Sequence, residues 1–120
     1  MVLVDSSVWV DHFRRGEPAL AELLESAHVA CHPAVIGELA CGTLRARSTT
    51  LDLLRRLPRA LVATDDETLH FLDRHRLAGR GLGWVDVHLL AATALSHARL
   101  WTADRRLHDT ARRLRLAFSA

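Results

Sequence analysis

The sequence predicts an α/β fold in which a parallel sheet of four to five strands is covered by helices on both faces. Two observations predict it. Short apolar runs alternate with segments of helical periodicity, and most of those runs end at an acidic or helix-capping residue. The predicted elements are strands at 1–4, 28–31, 60–63, 100–103 and 116–119, and helices at 6–14, 18–26, 33–41, 50–57, 64–77, 84–98 and 104–115.

In the first half of the chain, turn and capping residues mark where the elements begin and end. The apolar run 1–4 indicates a buried strand that stops at Asp5. Asp5, or the serine after it, caps a short helix, and Gly16 breaks that helix. Pro18 suits the first turn of the second helix, and Gly42 closes the third.

The second half has the clearest helix start and the most apolar helix. Thr64 and Glu67 have the spacing of a capping box, which predicts a helix after the strand at 60–63. The glycine-rich segment 79–83 is predicted to be a flexible loop. Segment 84–98 is apolar on nearly every face, which indicates a central, buried helix.

Composition limits the possible classes of protein. The 120 residues predict one domain, spanning 1–120. All 16 basic residues are Arg and none is Lys, which excludes a P-loop lysine and any other lysine-dependent phosphoryl chemistry. Arginine suits phosphate, since its guanidinium forks onto two oxygens, but a net charge of +2 is too small to indicate nucleic-acid binding by itself.

Nothing in the sequence predicts a membrane or secreted location. No apolar run approaches the ~18 residues of a membrane span. Asp5 interrupts the first apolar segment and no basic residue precedes it, which is unlike a signal peptide. Cys31 and Cys41 lack paired-cysteine spacing and are interpreted as reduced thiols. A cytoplasmic location is therefore expected.

Four acidic residues interrupt or close apolar stretches: Asp5, Glu38, Asp86 and Asp104. Asp5 and Asp104 follow predicted strands, and the other two lie in the first halves of predicted helices. Ligand sites in parallel sheets form beyond the carboxyl ends of the strands, so the four side chains can meet there. Two unit charges 4 Å apart repel by about 4 kcal/mol at an effective dielectric of about 20, so such a cluster requires protonation or cations.

All-oxygen ligands select hard ions, which predicts Mg²⁺ or Mn²⁺ rather than zinc. Such ions activate water and stabilise charge on a phosphodiester, so the predicted reaction is hydrolysis of a nucleic-acid backbone. Each acid also has a simpler explanation. Asp5 and Asp104 could cap the helices that follow them, and Asp86 could be a surface residue favoured by a helix dipole. Glu38 is the hardest to explain in this way, because little of its helical turn is expected to face solvent.

Other kinds of site have less support. The eight histidines lack HExxH or paired-cysteine spacing. The loop 79–83 follows a helix rather than a strand, so it does not meet the context of a dinucleotide fingerprint. A receiver-like signalling module would need a lysine, and a haloacid-dehalogenase-like phosphatase would need an aspartate where Ser7 stands. A catalytically silent α/β binding module remains the alternative.

Four segments in order resemble a PIN-domain ribonuclease of the VapC toxin type: VDSSVWVDHFR, GEL, GLGWVDVHLLAATAL and LWTADRRL. The likeness extends over essentially all 120 residues. The resemblance implies a PIN-like three-layer α/β/α sandwich and Mg²⁺- or Mn²⁺-dependent RNA cleavage. It also implies a toxin of a bacterial toxin–antitoxin pair, with a cognate VapB-type antitoxin and a homodimer.

By the same resemblance, Asp5, Glu38, Asp86 and Asp104 occupy the acidic positions of the family. Ser7 and Thr102 match hydroxyl positions near the first and last acids, where they could orient carboxylates or waters. As isolated residues, both could equally be local hydrogen bonders at a turn or strand end.

Three arginines are candidates for contact with RNA phosphate. Arg105 and Arg106 follow Asp104 directly, and Arg80 lies in the glycine-rich loop. Solvent-exposed surface positions are the simpler interpretation for most arginines of this chain.

Overall fold

The computed structural model describes residues 1–120, and its centre is a parallel sheet in the order β2-β1-β3. The strands are β1 Val2–Val4, β2 Val29–Ala30 and β3 Arg99–Trp101. Val2 pairs with Val29 on one side and with Arg99 on the other, so the first strand in sequence is central in the sheet. The predicted α/β class and parallel sheet are confirmed.

Seven helices connect and follow the strands. They are α1 Ser6–Arg15, α2 Pro18–Glu25, α3 Pro33–Cys41, α4 Arg47–Arg56, α5 Asp65–Arg74, α6 Trp84–Leu95 and α7 Arg105–Arg113. Thr64 and Glu67 form the predicted capping box at the start of α5. Pro18 and Pro33 occupy first-turn positions. A backbone N–H there would make no hydrogen bond within the helix, so its absence in proline costs nothing.

The predicted count of four to five strands is wrong, because the structure has three. The segment predicted as a strand at 60–63 is preceded by one isolated bridge, between Cys31 and Arg59, and the N–H of Ala60 bonds to Cys31 O at 2.9 Å. It then leaves the sheet, since the N–H of Leu61 bonds to Ser96 Oγ at 2.8 Å instead of continuing a ladder. The segment predicted at 116–119 likewise makes a single bridge, between Leu100 and Ala117.

Several predicted helices end earlier in the structure because the chain turns through a left-handed residue that is not glycine. After α6, His97 has φ 52° and the N–H of Ala98 bonds to Thr93 O at 3.0 Å. After α5, Arg76 has φ 54°. This is the geometry of a Schellman cap, for which the usual sequence signal is glycine. The apolar pattern alone therefore overestimated the lengths of both helices.

The two crossovers place β2 and β3 on opposite sides of β1. The connection from β1 through α1 and α2 leads to β2 on one side, and the connection from β2 through α3, α4, α5 and α6 leads to β3 on the other. Helix α3 packs against α1 and α4, whereas α5 packs against α6, and α6 and α7 pack against β3. The carboxyl ends of β1 and β3 therefore lie at a topological switch point, where doubly wound sheets form their ligand crevice.

The core lies on β1 and α6. Leu3 and Val4 have no solvent exposure, nor do Leu89 and Leu90 of α6. The predicted burial of α6 is therefore confirmed for its middle, although Trp84 at its start is 44% exposed. No helix is both long enough and apolar enough to cross a lipid bilayer.

We expect Leu3→Ala to lower the free energy of unfolding by about 2–5 kcal/mol, because it empties a fully enclosed site in the central strand. Leu53→Ala is the matched control, since Leu53 is 57% exposed on α4 and its change should be within about 0.5 kcal/mol. Urea denaturation of both variants measures the difference. Equal losses would contradict the assignment of the core.

Candidate active site

Asp5 is the buried carboxylate of the site. It follows β1 directly, and its backbone N–H bonds to Trp101 O at 2.9 Å. Its Oδ2 atom accepts hydrogen bonds from Ser7 Oγ at 2.8 Å and from Thr102 Oγ1 at 2.7 Å. Asp5 occupies the N-cap position of α1 but makes no side-chain capping bond. The simple interpretation of Asp5 as a helix cap is therefore wrong.

The turn after β3 is joined to the start of α1 through the same two hydroxyls. Ser7 Oγ accepts the N–H of Ala103 at 3.0 Å, and Thr102 Oγ1 accepts the N–H of Asp104 at 3.0 Å. Each hydroxyl has one proton, and both protons serve Asp5. The two hydroxyl oxygens are 3.3 Å apart, but no proton is left for a hydrogen bond between them. These bonds connect segments nearly a full chain length apart.

Asp104 is exposed and does cap α7, because its Oδ1 atom accepts the N–H of Leu107 at 3.0 Å. The capping interpretation is thus confirmed for this residue. It does not exclude a second role, since capping uses only one carboxylate oxygen. The other oxygen, Oδ2, has no protein donor.

Glu38 departs from its expected environment. It lies on the exposed side of α3, because Val35 and Leu39 are the residues of that helix that enter the core. The expectation that this turn faces little solvent was wrong. Ser6 Oγ donates a hydrogen bond of 3.1 Å to Glu38 Oε1, which connects α1 to α3. From the sequence, Ser6 was considered only as a possible cap of the first helix, and its bond to Glu38 was not predicted.

Asp86 is partly buried in the first turn of α6. Its Oδ2 atom accepts the backbone N–H of Gly83 at 2.9 Å, so the carboxylate reaches back over the start of its own helix. Oδ1 has no protein donor. The dipole interpretation of Asp86 agrees with this position, since a negative group is favoured near a helix N-terminus.

The four carboxylates share one pattern. Each uses one oxygen for a protein hydrogen bond that fixes its orientation, and each leaves the other oxygen without a protein donor. No Arg or His nitrogen lies within 4.0 Å of any of them. No three acidic, histidine or cysteine side chains lie close enough together to form a ready-made metal cage. The cluster is an open group of carboxylates whose charge is not compensated.

The predicted RNA-contact arginines are all exposed. Arg80 turns back along the end of α5, since its Nε atom donates to Arg76 O at 2.9 Å. Arg106 lies against Gly81 of the glycine-rich loop. Arg105 makes no hydrogen bond or ion pair with the protein.

Residues 2–113 match the profile of the PIN domain. The chain belongs to the PIN-domain family. It is 51% identical over 108 residues to Ribonuclease VapC32 from two strains of Mycobacterium tuberculosis, covering 89% of this chain and 87% of that protein, and it is therefore a VapC-type member. A crystal structure of PAE2754 from Pyrobaculum aerophilum superposes with a TM-score of 0.61 at 20% identity, covering 91% of this chain and 78% of that one. That likeness supports the fold.

The carboxylates of this PIN domain alter one another's ionisation. Burial raises the pKa of Asp86, and the charges of Asp5 and Asp104 raise it further, against the lowering effect of the Gly83 N–H. The pKa of Glu38 is raised mainly because the protein removes part of the water around its carboxyl group. The charges of Asp5 and Asp86 raise it further, and the hydrogen bond from the Ser6 hydroxyl lowers it. Each of the four acids therefore interacts electrostatically with at least one of the others, and no basic side chain forms an ion pair with any of them.

A cleft of about 750 Å³ opens beside Glu38 in this PIN domain. It lies between α1, α3 and the connection to α4. Its wall includes the basic residues Arg14 and Arg45 and the half-exposed Val10 and Phe13. The cleft is large enough for an extended polymer segment to reach the Glu38 carboxylate.

We expect Thr102→Val to lower the free energy of unfolding by about 1–3 kcal/mol, because Asp5 loses a buried donor and the N–H of Asp104 loses its acceptor. Thr102→Ser is the matched control, since it keeps the hydroxyl and loses only a methyl group, at a cost of about 1 kcal/mol. Chemical denaturation measures both. A valine variant at least as stable as the serine variant would contradict the role given to this hydroxyl.

We expect Glu38→Gln to stabilise the metal-free protein at pH 7. The folded state raises the pKa of this carboxyl above its ordinary value of 4.5, so ionisation opposes folding at higher pH. The gain is complete above the raised pKa and disappears as pH falls from that value towards 4.5. Thermal melting in EDTA from pH 4 to 8 measures it. Glu22→Gln, on the exposed surface of α2, is the control. A gain that grew as pH fell would contradict the sign.

Proposed function

We propose that this chain is an endoribonuclease that hydrolyses RNA phosphodiester bonds with Mg²⁺ or Mn²⁺. The observation that carries the proposal is a set of four carboxylates at the switch point of a PIN domain, in which Asp5 acts on Glu38 and Asp86, and Asp104 acts on Asp86, while each acid keeps one oxygen free of protein donors. The similarity to a protein named a ribonuclease over most of both chains supports the same activity.

The donor set fits a hard divalent ion. Asp5, Glu38, Asp86 and Asp104 offer only oxygen, which favours Mg²⁺ or Mn²⁺ over zinc. An ion held there would supply activation of water and charge neutralisation at the phosphodiester. The pKa values of Glu38 and Asp86 are raised mainly by burial and further by the neighbouring acids, and a cation would relieve that repulsion.

The residues around the carboxylates hold them in place. Ser7 and Thr102 each donate to Oδ2 of Asp5, which leaves Oδ1 turned away from both hydroxyls. Ser6 orients Glu38, and the N–H groups of Gly83 and Leu107 orient Asp86 and Asp104. The hydroxyl of Ser7 is occupied by its own hydrogen bonds, so no side-chain nucleophile is assigned and water is the attacking group.

The biological role that we propose is that of the toxin in a type II toxin–antitoxin pair. The relative's name places it in the VapC group, and on that basis we propose a VapB-type antitoxin as partner, a homodimer, and action on RNA in the cytoplasm. The cleft beside Glu38 supports access by an extended partner, since Arg14 and Arg45 offer charge and Val10 and Phe13 offer apolar surface.

The alternative is a silent PIN-like binding module, which would keep the fold and its partner without cutting RNA. The exposed apolar residues of the cleft wall indicate a binding partner, which both functions would have. Metal binding separates the two functions, because a silent module has no need of the ion.

We expect Asp5→Asn and Asp86→Asn each to abolish RNA cleavage while the fold survives, because each removes one charged ligand and keeps the size of the side chain. We also expect Mg²⁺ or Mn²⁺ at about 100 times its Kd to stabilise the wild-type protein by about 2.7 kcal/mol, and the variants by less. Cleavage of a labelled RNA and thermal melting with and without metal measure these effects.

Asp73→Asn is the matched control, since Asp73 is exposed on α5 and makes no side-chain bond. It should cut RNA as the wild type does. Cleavage that persisted in both purified site variants would contradict the assigned residues. A wild-type protein that neither cut RNA nor gained stability with metal would favour the silent module.

A further inference from the structure

The glycine-rich loop before α6 makes a close contact with a side chain of α7. Gly81 has φ +78°, a conformation that L side chains rarely adopt. A Cβ atom built on it would lie 2.6 Å from Nη1 and 2.9 Å from Cδ of Arg106. The arginine side chain therefore lies along the bare backbone of Gly81, and any larger residue there would push it away.

This contact joins the two segments that carry Asp86 and Asp104. Arg106 lies in the first turn of α7, two residues after Asp104. The loop that it covers continues to Gly83, whose N–H holds the carboxylate of Asp86. The guanidinium thus lies between two chain segments that border the carboxylate cluster.

Arg106 is not neutralised by the acids near it. It is exposed, and it forms no ion pair with any carboxylate within 4.0 Å. An arginine on a free surface beside uncompensated acids would be attracted to them. The side chain of Arg106 instead lies against Gly81, and none of its N–H groups has a protein acceptor.

An RNA strand approaching four carboxylates meets like charge, and its phosphates need a cationic contact outside the metal-binding oxygens. A guanidinium suits this contact, because it forks onto two phosphate oxygens and cannot lose its charge. We infer that Arg106 binds a backbone phosphate of the RNA substrate at the edge of the carboxylate cluster, and that Gly81 is the positioning residue that sets its place. This inference rests on the proposed function and deepens it.

The contact also distinguishes Arg106 from its neighbours. Arg80 is turned back onto Arg76 O. Arg105 makes no hydrogen bond or ion pair with the protein. Of the three arginines predicted to contact RNA, Arg106 is the one whose side chain lies against a glycine of the loop before α6.

The test measures binding of a single-stranded RNA oligonucleotide across salt concentrations. An Asp86→Asn background prevents cleavage. Adding Arg106→Gln should raise Kd about tenfold. It should also make the negative slope of log K against log salt shallower by about 0.7, the value for one phosphate contact in a single strand. Adding Gly81→Ala should raise Kd as well, although it changes no charge, because it moves the guanidinium. The otherwise wild-type enzyme carrying Arg106→Gln should show a raised KM and little change in kcat.

Arg112→Gln is the matched control, since it removes the same charge from the exposed far end of α7. Its Kd and slope should stay close to those of the parent, and Arg105→Gln should have a smaller effect than Arg106→Gln. The inference is overturned if Arg106→Gln behaves like Arg112→Gln, or if Arg105→Gln has the larger effect. A folded Gly81→Ala variant that bound RNA as its parent does would overturn the role of Gly81.

The two proposals fail separately. If the wild type cuts RNA and Arg106→Gln behaves like the control, the phosphate contact is wrong and the nuclease assignment stands. If the wild type cuts no RNA but Arg106→Gln weakens binding with the expected salt slope, the nuclease assignment is wrong and the contact stands.

Discussion

The parallel pairing of β1 with β3 is the constraint on which the site depends. It places Val4 beside Trp101, so the residues that follow the two strands leave the sheet at the same edge. Asp5 then meets Thr102, and both hydroxyl donors of its carboxylate become available. The apolar burial of β1 stabilises this pairing, because Leu3 and Val4 have no contact with solvent. The polar site is thus positioned by the most apolar part of the chain.

The second constraint is electrostatic. The fold collects four carboxylates and provides no basic side chain to neutralise them. Hydroxyl and backbone N–H groups hold one oxygen of each, and this fixes their orientation without cancelling their charge. Burial raises the pKa values of Glu38 and Asp86, and repulsion from the other acids raises them further. These uncompensated charges therefore cost stability at the site for which we propose a function, which is a common relation between stability and function.

Local signals in the sequence predicted most elements, and the failures have physical causes. The capping box of Thr64 and the first-turn prolines act within one helical turn, so their effect can be recognised from the sequence. The end of α6 could not be predicted from a glycine, because His97 takes the left-handed position instead. The segment at 60–63 has an apolar composition typical of a strand, but Leu61 pairs with Ser96 rather than with the sheet. Partner choice of that kind depends on distant residues.

The sequence by itself determined the α/β class, the four acidic positions and the family resemblance, because these rest on residue type, spacing and local periodicity. Only the tertiary structure decided which oxygen of each acid is engaged, that Ser6 bonds to Glu38, and that Gly81 receives the side chain of Arg106. It also decided that Asp5 is buried whereas Glu38 is exposed. The reason is that burial and hydrogen-bond partners depend on how distant segments pack, and no local pattern of residues specifies that packing.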